Sequence, residues 1–375
     1  MTYVMTTAGF DGKRAANLIK ERGLRGVLFT SPENTFYSTG AQTLPGTGNP
    51  ILYALRNQTP TYSFVDNEGG VTLFMWAGAS MGLTYETKEV RTFLDAVGAE
   101  EELASFLGEL QGARKVGIES SCPYWAYRTV EKAVGAENVA PSDDVALRLR
   151  LVKSEKELER LRTSTRIVEA TASELAGELH VGLSRIALAQ RARQVMMQNG
   201  ATAVDHLTIA FGPSNPEVML DERLAPNQVI TLDLGAIYEG YSSDNRRLFY
   251  SAKSLPDDMA ALHDKLLRIV DGVGEVLLPG TAFSALYSRG VDLYQKEGLE
   301  PMFFHVGHSI GIQTEEAWIS VESELKVEEN MVLNVELYAP HGSGVMIGDE
   351  ETFVIEKAGG RRITTLPRGI GLVGA

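Results

Sequence analysis

The chain alternates between helical and strand-like hydrophobic patterns. Residues 13–22 carry the apolar spacing of an amphipathic helix. Short apolar runs at 26–30 (GVLFT), 70–76 (GVTLFMW) and 115–119 (KVGIE) read as buried strands. Helical patterns stand between and after them at 99–110 and 124–134. Strands alternating with helices predict a small α/β domain over residues 1–150.

A composition shift follows. Residues 146–162 (ALRLRLVKSEKELERLR) are dense in charge and run on into a long helical pattern. Within it, Ser154 and Glu157 have the spacing of a capping box. This helix opens a second domain, residues 151–375. Further helices are predicted at 184–199, 257–278 and 282–297. Residues 229–251 alternate and contain Gly235 and Gly240, as a hairpin would. Residues 331–337 and 351–356 are further strands, and the order is compatible with two α-α-β blocks.

A length of 375 residues fits two domains of about 150 residues each or somewhat more. Such a chain can bury a large core without disulfides. Hydrophobic residues at 44% and charged residues at 22% exclude a disordered, collagenous or coiled-coil protein. The net charge of −14 argues against a nucleic-acid partner, which would want a basic face. Cys122 is the single cysteine, so no internal disulfide or thiolate metal site can form, and it reads as a small buried apolar residue. No leader pattern opens the chain and no run approaches 18 apolar residues, so the expectation is a cytoplasmic protein with no membrane partner. The absence of a P-loop, and of GxGxxG after the first strand, leaves a nucleotide or flavin enzyme without support.

The candidate chemistry lies in the second domain. Asp233 and Asp244 stand eleven residues apart in LDLGAIYEGYSSDNRR, near the ends of the predicted hairpin. His308 sits among glycines in HVGHSIG. Glu336 interrupts an apolar strand in MVLNVELY, which is expensive unless the charge is paired or coordinated. Glu350 precedes another apolar strand in GDEETFVI. Taken singly, each has a bland explanation as a turn, cap, core or surface residue. Together, four carboxylates and one imidazole match a site for two divalent cations, with Mn²⁺, Fe²⁺, Co²⁺ or Zn²⁺ suited to such donors. Two such ions roughly 3.5–4 Å apart can hold a bridging hydroxide and polarise a carbonyl.

The order DLGAIYEGYSSD, GHSIG, NVELY and EET resembles the pita-bread metallopeptidases: methionine aminopeptidase, aminopeptidase P, prolidase and their relative creatinase. The resemblance covers residues from about 150 to 357. It implies Asp233, Asp244, His308, Glu336 and Glu350 as metal ligands. The stretch GLRGVLFTSPENTFYSTG resembles the start of the creatinase-type N-terminal domain. That domain points toward aminopeptidase P, prolidase or creatinase-like enzymes, which are typically dimers. The implied architecture is an α/β creatinase-like N-terminal domain plus an α+β pita-bread catalytic domain. The implied activity is that of a dimetal hydrolase of the aminopeptidase P/prolidase kind. An amide C–N bond would be cleaved by a hydroxide bridging two ions, manganese foremost, with Glu336 shuttling the proton. The implied partners are a small peptide and a second copy of the chain.

The sequence departs from that pattern at two histidines. The loop before the first ligand, residues 212–233, holds none, and Glu217 is the nearest candidate. Seven residues after His308, where the family has His before Glu, stand Glu315 and Glu316. An ionised Glu315 cannot donate to an oxyanion, so it is either protonated, bound to a cationic part of the substrate, or turned away. His305 and His341 are candidates to compensate, whereas His180, His206 and His263 read as structural. Arg247 occupies the place of an arginine that supports the second Asp, and Arg246 replaces a commoner Thr and is assigned nothing. Tyr241 reads as a packing residue. The lost histidines keep an alternative open: a metal-dependent hydrolase of a small non-peptide C–N substrate, like creatinase or ectoine hydrolase.

Overall fold

Apolar runs of the first 150 residues are each long enough for one short strand. In the computed structural model, which describes residues 3–110 and 115–373, six short strands pair into a mixed sheet. Its order is Glu89–Phe93, Val71–Trp76, Tyr62–Asp66, Gly26–Phe29, Val116–Ile118 and Val139–Pro141. Helices Gly12–Glu21, Ala96–Glu109 and Tyr124–Val134 occupy the intervals where the helical pattern was read. The first is started by Asp11, whose Oδ1 accepts from the amides of Lys13 and Arg14 at 2.9 and 3.1 Å. Its buried face is Ala15, Ala16, Leu18 and Ile19. Tyr62, Phe64, Phe74 and Phe106 fill the core with stacked and edge-on rings 4.7–5.3 Å apart. Cys122 is only partly buried, and burial pushes its thiol up to about 11.

The chain divides into two units, Met1–Arg150 and Leu151–Ala375. The helical signal across 146–162 is two helices, Asp143–Leu151 and Glu155–Ala176, rather than one. Ser154 interrupts it. The Ser154 hydroxyl accepts from the Glu157 amide at 3.3 Å, and the Glu157 carboxylate accepts from the Ser154 amide at 2.8 Å. A new N-terminus is therefore capped where one continuous helix would have run.

The second unit repeats one plan. Helices Glu155–Ala176 and Arg185–Gln198 precede the antiparallel strands Ala203–Phe211, Val229–Tyr238 and Asn245–Tyr250. Helices Asp257–Gly274 and Phe283–Lys296 precede the antiparallel strands His305–Ser309, Val332–Pro340 and Met346–Glu356. Val168, Leu188, Ile209, Ile230 and Leu232 form the core of the first block. The hairpin 229–251 reverses at Glu239 and Gly240, both at positive φ (47° and 87°), the primed turn that suits twisted strands. No helix among the described residues is long and apolar enough to cross a membrane.

Candidate metal centre

Each block contributes candidate ligands from its own sheet. Asp233 lies in the Val229–Tyr238 strand opposite Arg246, and Asp244 lies just past the turn. His308 pairs in register with Asn334, and Glu336 stands directly opposite Glu350. Like charges facing each other across a ladder repel, and here Glu350 is buried and Glu336 half-buried. His308 is 0% and Glu350 1% exposed, with Asp244 at 7% and Asp233 at 9%.

The distances close the cluster. His308 Nε2 lies 3.6 Å from Asp244 Oδ2, 3.7 Å from Glu336 Oε2 and 4.0 Å from Glu350 Oε1. Among the described residues, His308 Nε2 and Glu350 Oε2 make no hydrogen bond although both are buried. A buried donor or acceptor left without a partner costs about 1–3 kcal/mol. A cation among these atoms would satisfy both, so the donor set fits divalent ions. Burial, with Asp244, Glu336 and Asp233 nearby, holds the Glu350 carboxyl well above its ordinary range. Burial raises Glu336 to about 7, with His308 opposing and Asp244 adding. Asp244 goes the other way: burial alone would raise it, but the His206 charge and hydrogen bond, with His308, bring it below the usual carboxylate value.

Residues given no site role by the sequence also stand here. Arg246 is buried, and its Nη1 donates to Asp233 Oδ2 at 3.2 Å and to the Tyr338 phenol at 3.4 Å. The Tyr338 hydroxyl donates to Glu336 Oε1, which leaves Oε2 toward His308. His206, read as structural, has its Nε2 3.3 Å from Asp233 Oδ1 and 3.2 Å from Asp244 Oδ1. The signal for Arg246 was its place opposite Asp233 in the hairpin. No local pattern pointed to His206.

The remaining candidates are placed differently. Glu315 is exposed, on a loop held by its neighbours. Thr314 donates to Asp205, and Glu316 forms a buried ion pair with Lys153 at 3.0 Å. Partial burial raises the Glu315 carboxyl, and His308, Asp244, His206 and Asp233 all act on it. His305 sits in an aromatic group, its ring centroid 4.3 Å from that of Trp318 and 5.5 Å from that of Phe303. Its Nδ1 accepts from the Gly307 amide at 3.2 Å. Burial, with His308 beside it, lowers its pKa to about 4, so it is neutral. His341 is not brought to the cluster: Ser343 holds its Nδ1 at 2.8 Å and Asp258 its Nε2 at 3.1 Å. Glu217 is exposed, its amide bonded to Asn215. Arg247 supports the Met346–Glu356 strand, not Asp244: it donates to the Glu350 carbonyl and to Glu351 Oε1 at 3.1 and 3.2 Å. Tyr241 donates to Glu157 Oε1 at 3.0 Å, anchoring the hairpin to the first helix of the unit.

Residues 159–357, more than half of the chain, match the sequence profile of metallopeptidase family M24. The chain belongs to metallopeptidase family M24. Residues 13–152 match the creatinase/prolidase N-terminal domain. The M24 chain is a metal-dependent hydrolase with a creatinase-type N-terminal domain and a pita-bread catalytic domain. It is 26% identical over 365 residues to a Xaa-Pro dipeptidase of Pyrococcus horikoshii, covering 95% of this chain and 97% of that relative. It is 25% identical to a Xaa-Pro dipeptidase of Pyrococcus furiosus, covering 95% and 99%. In fold it is similar to the solved Xaa-Pro dipeptidase from Bacillus anthracis, with a TM-score of 0.81 at 21% identity over 96% of this chain and 98% of that one.

Proposed function

We propose that this M24 hydrolase is a Xaa-Pro dipeptidase. Asp233, Asp244, His308, Glu336 and Glu350 would hold two divalent ions, with manganese and a homodimer as the forms the resemblance implies. The observation that carries the reading is the pair of buried, unpartnered donors, His308 Nε2 and Glu350 Oε2, within that cluster. The near full-length match to two Xaa-Pro dipeptidases supports the substrate class.

Divalent ions in such a cluster supply Lewis acidity toward an amide carbonyl and lower the pKa of a water. The side chains do the rest. Glu336, its Oε1 oriented by the Tyr338 hydroxyl, would take a proton and pass it to the leaving imide nitrogen. Glu315 offers its carboxylate to the α-ammonium of the dipeptide, which turns the lost histidine into a preference for a free N-terminus. Trp318, Phe303 and neutral His305 form an aromatic wall for the proline ring.

The test is an assay of metal-stripped protein refilled with Mn²⁺, Co²⁺ or Zn²⁺. Substrates would be Xaa-Pro dipeptides, longer Xaa-Pro peptides, and small cyclic and guanidino amides. Metal-dependent release of free proline from dipeptides is the expected result. Metal uptake with cleavage of the non-peptide amides alone, or of nothing, overturns the reading.

A further inference from the structure

We propose that His206 Nε2 is a ligand of the ion held between Asp233 and Asp244, a sixth protein ligand beyond the five the resemblance implies. The inference rests on reading the cluster as a metal centre, but not on the peptide substrate.

The two strands at the site pair with a register shift. The Ala203–Phe211 strand pairs with Val229–Tyr238 so that His206 faces Gly235, while Val204 faces Ala236. Asp205 is therefore the extra residue of a β-bulge. Side chains of neighbouring residues on a regular strand point to opposite faces, and a bulge re-aims them. Here it lets the two meet: Asp205 Oδ2 lies 3.0 Å from His206 Nδ1. Asp205 in turn accepts from the Thr314 hydroxyl.

Gly235 provides the room. A Cβ at this position would lie 2.4 Å from both Cε1 and Nδ1 of the His206 ring. The imidazole can cross the hairpin strand toward Asp233 and Asp244 only because residue 235 has no side chain.

The donors then fit one ion. His206 Nε2, Asp233 and Asp244 offer one nitrogen and two carboxylate oxygens within 4.8 Å of one another. The spacings from Nε2 are 3.3 and 3.2 Å, close to those of adjacent donors each about 2.1 Å from a shared metal. Asp244 has its other oxygen toward His308, so it can bridge the two halves of the centre. Arg246 occupies Asp233 Oδ2, which leaves that carboxylate a single free oxygen. The imidazole nitrogen replaces the donor that Arg246 takes away. A carboxylate on the far ring nitrogen is the support that metal-bound histidines usually have, and it sets Nε2 as the free donor.

The test reads metal, not peptide cleavage. Co²⁺ is titrated into metal-stripped wild type, His206→Ala and Asp205→Asn, followed by calorimetry and visible absorption. Wild type should bind two ions. His206→Ala should weaken one of them more than tenfold and change the absorption band of that ion alone. Asp205→Asn should weaken the same ion by about 10- to 100-fold, with native melting behaviour. Two ions bound to His206→Ala with unchanged affinity and spectrum would overturn the proposal. So would metal content that rises in His206→Ala, because the imidazole would then be a cation standing in for the ion. Wild type that binds no metal would instead overturn the underlying reading of the centre.

Discussion

The Met346–Glu356 strand separates two buried acidic groups that look alike in sequence and differ in chemistry. Asp349 and Glu351 point to one face, Glu350 to the other, as strand alternation requires. On the first face, Glu351 is met by Arg247 and Arg368, each at 3.2 Å, and by the Thr364 hydroxyl. Asp349 faces the same two arginines at 4.0 and 3.6 Å. On the second face, Glu350 meets Glu336, Asp244 and Asp233, with Arg246 the fixed cation against them. Arginines supplied by the chain hold one face together. The other face leaves charge and donor atoms for something the chain does not supply. A buried carboxylate is thus not by itself a sign of function: burial and Glu351 raise Asp349 to about 7 as well, but two arginines stand against it, whereas Glu350 is set among Asp244, Glu336 and Asp233.

Four measurements bear on the difference between the two faces. The largest effect is expected from Glu336→Gln. It removes the proton carrier and should lower kcat by about 10²–10⁴-fold, measured on an Xaa-Pro dipeptide under metal saturation. A drop of less than tenfold would remove Glu336 from proton transfer. Next is Glu351→Gln on the arginine face. Breaking a buried pair on one side costs about 3–5 kcal/mol, so denaturant unfolding should shift by that amount while metal uptake is kept. Unchanged stability would mean the arginines are not needed to hold that face.

A smaller effect concerns pH. Burial raises Glu336 to about 7 in the metal-free protein, and Glu350 is raised as well. The folded state then holds protons that the unfolded chain releases above its ordinary carboxylate pKa. Stability of the metal-free protein is accordingly highest below about pH 4.5 as far as these groups decide it, and falls as pH rises through 7. Bound cations replace those protons, so the gain in Tm on adding Mn²⁺ should grow from pH 5.5 to pH 8. A gain that shrinks over that range would contradict the assignment. The smallest effect is expected from Glu315→Gln, roughly a tenfold rise in KM for dipeptides with a lesser change in kcat. If kcat falls and KM does not, Glu315 acts on the reaction rather than on the ammonium.

The strands and helices were largely legible because each carries its own hydrophobic period. The 229–251 hairpin is an instance: alternation and Gly240 mark it without help from the rest of the chain. Glu336 was legible for a physical reason, as a charge inside an apolar strand. The helical run across 146–162 was harder, because the two helices share one composition and only residues 152–154, ending in the Ser154 cap, divide them. His206 was hidden for a different reason. Its position depends on a one-residue shift between two strands and on the space left by Gly235, neither of which has a local pattern. His341 carried no signal that Asp258, 83 positions earlier, would claim its Nε2. Arg246 was visible as a departure from the family, but its meaning depended on the ladder that sets it against Asp233.

The difference between the two faces is tested most directly by calorimetric titration of Mn²⁺ into metal-stripped wild type, Asp244→Ala and Glu351→Gln. Uptake by wild type and Glu351→Gln with equal stoichiometry, and its loss in Asp244→Ala, is the result predicted. Equal uptake by all three, or none by folded wild type, would contradict the assignment of this face as the metal centre.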